Sequence, residues 1–185
     1  MKLGVFTVLF AEKSFEEMLD TVKEAGLHAV EIGTGCYPGN SHCDLDGLLE
    51  SEEARNLYFH KVESRGLTIS AFSCHGNPIS PEEGFAKTSH ETLLKTIKLA
   101  SLLGVPVVNC FSGTAGDHEG AKYPNWPVTP WPNEYGDVLK WQWELKVNSL
   151  LERSRSVCEG TQRENWAGAS WWIFSSYSIY PIKTA

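Results

Sequence analysis

LTISAFSCHGNP, residues 67–78, is the stretch on which the reading of this chain turns. Leu67 to Phe72 is an almost unbroken apolar and β-branched run, and it passes into a polar tip, Ser73-Cys74-His75-Gly76-Asn77, closed by Pro78. A strand that is apolar on both faces belongs to a parallel sheet covered by helices, because a strand with one wet face would alternate. Its polar end then marks where the chain leaves the sheet.

The same grammar repeats on both sides. Upstream, SEEARNLYFHKVESRG (51–66) predicts a helix with a closing glycine, and HAVEIGTG (28–35) predicts a strand. FEEMLDTVKEAG (15–26) places Phe15, Met18, Leu19 and Val22 at helical spacing, with Ser14 as N-cap, Glu17 at the capping-box position and Gly26 as the stop. LGVFTVLF (3–10) predicts the first strand. Downstream, SHETLLKTIKLASLLG (89–104) and VPVVNCFSG (105–113) supply a further helix and strand. Residues 3–113 therefore predict four parallel strands joined by helices, since each parallel crossover needs a connection of helix length.

Two architectures share that pattern, a (β/α)8 barrel and an open doubly wound sheet. No GxGxxG follows the first strand, and polar residues close several strands in turn: Glu31, the 73–77 run, and Ser112-Gly113. A site at the C-terminal mouth of a barrel is built from such strand ends, so the barrel is favoured.

Composition narrows the function. A chain of 185 residues with 42% hydrophobic and 21% charged residues is an ordinary globular composition. The formal charge of −7 at pH 7 argues against nucleic acid as the main partner, because that affinity rests on Lys and Arg at phosphates. A small molecule is expected. The five cysteines show neither CxxC pairs nor zinc-ligand spacing with His, so reduced thiols in a cytoplasm are expected. The opening residues read as a strand and not as a signal peptide, and no membrane partner is expected.

Five segments carry a resemblance: LGVFTVLF, EEMLDTVKEAGLHAVEIGTGCYPGN, SRGLTISAFSCHGNP, KLASLLGVPVVNCFSG and KYPNWPVTPWP. From Leu3 to about Glu144 the chain resembles the front half of the sugar phosphate isomerase/epimerase group, the xylose-isomerase-like TIM barrels. The resemblance implies a divalent metal ion at the barrel mouth of the intact protein, a sugar or polyol as small-molecule substrate, and proton transfer beside a sugar carbonyl. It also implies metal ligands (Glu, Asp, His and Glu) on later strands, the first in a strand reading roughly I-G-L-E-L/M-H-G/P-G. No such strand is written here, so no metal ligand is assigned and this chain is expected to bind none.

The residues after Glu144 leave the pattern. Tryptophan has one codon, TGG, and reading one base later turns each Trp into glycine. Over residues 165–176 the shifted frame forces glycine at Trp166, Trp171 and Trp172 and permits I-G-L-E-L-H-G-G-F-L-V-H. That permitted reading matches the missing metal strand, with only the three glycines forced. Residues 1–144 are therefore read as the barrel half, and 145–185 as an irregular, frame-shifted tail; a divergent C-terminal extension is the alternative.

Within the head, His75 and Glu31 are the candidate catalytic residues. His75 ends a strand at the mouth, although a lone histidine also serves structure; Glu31 either faces the mouth or pairs with a helix. Asn77, Ser112 and Trp126 are candidate substrate contacts. Asn77 before Pro78 and Ser112 before Gly113 equally fit turns, and Trp126, in the Pro-rich loop with Tyr123 and Trp131, fits either an aromatic face for a sugar or a lid. A metal-dependent endonuclease on the same barrel is the second function class, but it needs a basic groove and more histidines than this chain has. A truncated, inactive half barrel that self-associates through exposed strand edges is the third.

Overall fold

The computed structural model describes residues 2–127, 131–160, 171–175 and 178–182. Its strands are β1 (Gly4–Phe6), β2 (Ala29–Cys36), β3 (Thr68–His75), β4 (Val108–Phe111), β5 (Trp171–Ser175) and β6 (Ser178–Ile182), side by side in sequence order in one sheet. The pairs β1–β2, β2–β3 and β3–β4 are parallel, as the sequence predicts for 3–113. Parallel strands laid down in chain order, as β1 to β4 are, follow the barrel arrangement; a doubly wound sheet would show a switch point.

The helices are α1 (Phe15–Glu24), α2 (Leu45–Glu50), α3 (Glu52–Glu63), α4 (Glu83–Leu103), α5 (Glu134–Trp141) and α6 (Asn148–Gly160), with a π-helical stretch Gln142–Val147 joining the last two. The predicted capping box starts α1: the Glu17 amide donates to Ser14 Oγ at 3.3 Å and the Ser14 amide to Glu17 Oε2 at 2.9 Å. Its buried stripe is Met18, Leu19 and Val22. Gly104 ends α4 at φ 65°, a left-handed conformation that glycine adopts without a Cβ penalty.

The helices cover one face of the sheet. Val30, Ile32, Phe72, Cys74, Val108 and Cys110 meet Met18, Val22, Val62, Ile97 and Leu99 there in a continuous core. Two boundaries differ from the sequence reading. Only Gly4–Phe6 of the first run is strand, because β2 pairs with those three residues alone, and Thr7–Phe10 coils into a 3-10 turn. Helix α4 begins six residues before Ser89, because the Glu82 carboxylate caps it by accepting from the Gly84 and Phe85 amides at 3.0 and 2.6 Å.

The tail also differs. Expected to be irregular, it continues the helix, and Val147 and Leu150 are buried with Ile79 and Ala115 in a second cluster flanked by Trp141 and Trp143. The reason is spacing: Val147, Leu150, Leu151 and Ser154 share one helical face, so this stretch is amphipathic as written. β5 pairs parallel with β4, and β6 turns back antiparallel. The rest of the tail, 161–170, 176–177 and 183–185, lies outside the described residues.

Candidate functional site

Side chains alternate across a strand, so those two apart share a face. With the even-numbered core residues Val30, Ile32, Phe72, Cys74, Val108 and Cys110 against the helices, the opposite face of the sheet presents Glu31 from β2, Ser73 and His75 from β3, and Asn109 and Phe111 from β4. This is the face that becomes the interior of a barrel.

Polar groups converge on it. Glu31 Oε1 accepts from Ser73 Oγ and from Asn109 Nδ2, the latter at 3.0 Å. Three neighbouring strands thus fix one carboxylate, which lies amid the sheet and not at its rim: β2 runs on five residues past Glu31 to Cys36, paired with β3 across a register shift. The expectation that Glu31 closes its strand is corrected in that respect.

His75 stands two residues further along β3, at the strand end, as the sequence reading has it. Its ring stacks on Phe111 at 4.4 Å and 13° and meets the edge of Phe6 at 6.1 Å and 61°. Burial pulls its pKa below the ordinary histidine value, and the negative charge of Glu31 opposes that shift. A half-buried imidazole of this kind is neutral near pH 7, with one ring nitrogen able to donate and the other to accept.

Asn77 and Ser112 occupy the next shell of loop. The Asn77 amide donates to the Thr114 carbonyl at 2.9 Å, its Oδ1 accepts from the Thr114 amide at 3.0 Å, and its own backbone amide donates to Ser89 Oγ at 3.2 Å. Gly113, at φ 72°, lies directly against Asn77, where a Cβ would collide. Ser112 is buried and donates to the Gly113 carbonyl at 3.1 Å. Asn77 therefore joins the exits of β3 and β4, while Ser112 bonds within the turn that leaves β4, the turn reading left open by the sequence. Trp126 is 46% exposed on the loop that follows.

That loop is bolted down by a residue the sequence reading passed over. Buried Gln142 donates through Nε2 to the carbonyls of Ala115, Gly116 and Asn125 at 3.0–3.1 Å and accepts from Thr114 Oγ1 at 3.0 Å. Ser73 and Asn109 were also missed. Counting back two from His75 would have found Ser73, and Asn109 is the lone polar residue in VVNCF. Against the helices, a separate groove of about 430 Å³ runs between Ile79, Ala115, Trp141, Leu145 and Lys146. It includes neither Glu31 nor His75, so the chemistry on the open sheet face has better claim to be the site.

No family model matches the chain. Over 146 residues, 78% of its length, it is 36% identical to the uncharacterized protein YfiH of Bacillus subtilis, of which it spans 46%. Among solved structures it superposes on a candidate xylose isomerase from Rhodospirillum rubrum with a TM-score of 0.57 at 13% identity, covering 87% of this chain and 51% of that one. A D-tagatose 3-epimerase-like protein gives 0.57 at 19% identity over 94% and 52% of the two chains, and an L-ribulose 3-epimerase 0.51 at 16% over 93% and 48%. The chain has the fold of the N-terminal half of a xylose-isomerase-like TIM barrel. It spans about half the length of the relatives it matches.

On this half barrel, the described residues gather no three His, Cys, Asp or Glu side chains that could hold a metal ion. Glu31 is the carboxylate of the polar cluster, and its partners are a hydroxyl and an amide, which are poor substitutes for charged ligands. The donor set does not fit a divalent ion. Among the described residues no helix is long and apolar enough to cross a membrane.

Proposed function

We propose that the parent of this chain is an isomerase or epimerase of a sugar or polyol, and that the 185-residue chain as written is an inactive half of it. The observation that carries the reading is the Glu31–Ser73–Asn109 network with His75 beside it on the lumen face, in a fold whose solved neighbours include proteins named as sugar epimerases.

Isomerising or epimerising a sugar moves a proton at the carbon next to a carbonyl, so oxygens must be held while the proton leaves and returns. His75, neutral and braced between Phe6 and Phe111, is suited to hold a substrate hydroxyl or carbonyl oxygen by a hydrogen bond. Glu31, fixed at Oε1 by two donors, presents a carboxylate of set orientation toward the same space. Asn77 and Ser112 position the strand exits, and Trp126 offers an aromatic face on the loop. The residues of this half do not fit a metal; the family resemblance implies that the ligands belong to later strands.

The boundary at 144/145 is part of the proposal. The match to the Bacillus protein extends over 146 residues, close to the length of the segment 1–144. The antiparallel β6 also departs from strictly alternating parallel units. The test is to sequence the gene across the codons for Glu144–Lys146, express both the written and the frame-corrected chains, and assay each on ketopentoses and ketohexoses with added divalent metal. The corrected chain is expected to turn over and the written chain not to; an intact frame with an isomerising 185-residue chain would overturn the reading.

A further inference from the structure

The helix side of the sheet carries a feature that the proposed reaction does not use. Cys36 at the end of β2 and Cys74 on β3 hold their sulfurs 3.6 Å apart. In the register of the two strands, Gly35 lies opposite Cys74 and Cys36 opposite His75, so the two cysteines are diagonal neighbours. Two local distortions bring them together. The register shifts between Gly33 and Gly35, and Cys36 takes φ 59°, a left-handed conformation unusual for a residue with a side chain. A disulfide needs sulfurs about 2.05 Å apart, so closure requires an approach of about 1.5 Å between two strands already paired.

We propose that Cys36 and Cys74 are a peroxide-oxidisable pair, Cys36 the attacking thiolate and Cys74 the resolving thiol, which closes into a disulfide tying β2 to β3 immediately before His75.

The chemistry balances with hydrogen peroxide as oxidant. Cys36 thiolate attacks one peroxide oxygen, the O–O bond breaks, and the departing hydroxide takes a proton to become water, leaving a sulfenic acid on Cys36. Cys74 sulfur then attacks Cys36 sulfur, the S–O bond breaks, and a second water leaves with the proton of Cys74. Two thiols lose two electrons and one peroxide gains them.

The surroundings divide these roles. Cys36 is half-buried, so peroxide reaches it, whereas Cys74 is buried behind it. Hydrogen bonding from Cys74 holds the pKa of Cys36 down to about 7 against burial, with Thr92 and Ser89 of α4 adding to the effect. The same hydrogen bond, with burial, pushes Cys74 up, keeping it a thiol until the sulfenic acid forms. Cys43 provides an internal contrast, since burial raises it to about 12. The thiolate is the reactive form, so Cys36 is selected over Cys43 by its neighbours and not by its residue type.

The test treats the reduced 185-residue chain with a small excess of hydrogen peroxide, blocks free thiols, and maps the digest without reductant. The expected product is a cross-link between the peptides of Cys36 and Cys74, lighter by two hydrogens. Cys36 and Cys43 share a tryptic peptide, since no Lys or Arg lies between them. The variant Cys43→Ser should therefore retain the cross-link and Cys36→Ser should abolish it, leaving Cys74 free to alkylate. Recovery of Cys36 as sulfinic acid without a cross-link, a cross-link from Cys74 to Cys110 or Cys158, or all thiols still reduced would each overturn the proposal.

Discussion

Glu31 gathers two donors that no other described group satisfies, and that makes its loss informative. Glu31→Ala leaves the Ser73 hydroxyl and the Asn109 amide facing each other without an acceptor, an omission that costs about 1–3 kcal/mol. Urea unfolding should show that loss, and Glu31→Gln, which restores a carbonyl acceptor, should show less. In the frame-corrected chain, Glu31→Gln and His75→Gln are expected to lower kcat by roughly 10²-fold or more if these residues take part in proton transfer. Acid stability tests the half-buried histidines separately. Burial is the main cause lowering both His75 and His90, opposed by Glu31 at the first and by Glu91 at the second, where Arg153 adds to the lowering. A histidine with a depressed folded pKa binds its proton more readily when unfolded. Stability is therefore full above the unfolded pKa of about 6.5 and is lost as pH falls through it toward the lower folded value. A thermal-melt series from pH 8 to 5 should be level above 7 and fall below 6.5, and His75→Gln should flatten part of that fall; an unchanged acid limb in the variant would remove His75 from the account. His75 was legible because a polar tip on an apolar strand is a local signal. Its neighbours Ser73 and Asn109 were not, because their bonds to Glu31 span 42 and 78 residues of sequence.

Elements were legible where their ends are written in side chains. The Ser14–Glu17 box fixed the start of α1 from four letters, and Ser14→Ala should cost about 1 kcal/mol by removing an acceptor from the first turn. Helix α2 was overlooked since its six residues give less than two turns of periodicity, and its start depends on Asp44, whose carboxylate accepts from the Gly47 amide at 3.2 Å. Glu82 was overlooked for a related reason: it is a long side chain doing a cap's work usually done by a short one. The loop 112–127 illustrates the opposite limit. Its proline-rich sequence says only that it is irregular, while its shape is set from outside by Gln142. Replacing Gln142 with Ala removes three donated bonds and one accepted bond at once, which should free the loop without unfolding the sheet. Trypsin cleavage after exposed Lys122 reads this directly, and a several-fold faster cut is expected in the variant while cleavage elsewhere stays level.

For the whole molecule, half of a closed form leaves open boundaries. Among the described residues β4 is covered by β5, so the free strand edges are those of β1 and β6, and the apolar side chains of Phe111 and Leu9 are 38% and 74% exposed. A closed barrel removes edges, and an open one offers unpaired backbone groups to another copy. Sedimentation of the 185-residue chain should therefore show association that grows with concentration, whereas the frame-corrected chain should remain of fixed size over the same range. The repeating units gave parallel strands, their polar ends favoured a barrel and the family resemblance implied its front half, but that the written tail still packs Val147 and Leu150 could not be read, because the family pattern had already ended there. The clasp between Asn77 and Thr114 carries a last implication, for motion. It rivets the exit of β3 to the exit of β4, so the rim on either side of His75 has one degree of freedom in place of two. Any breathing that admits a sugar would lift both exits in concert, and the amide protons of Asn77 and Thr114, each held by the clasp or its anchor on Ser89, would trade with solvent at a single common tempo.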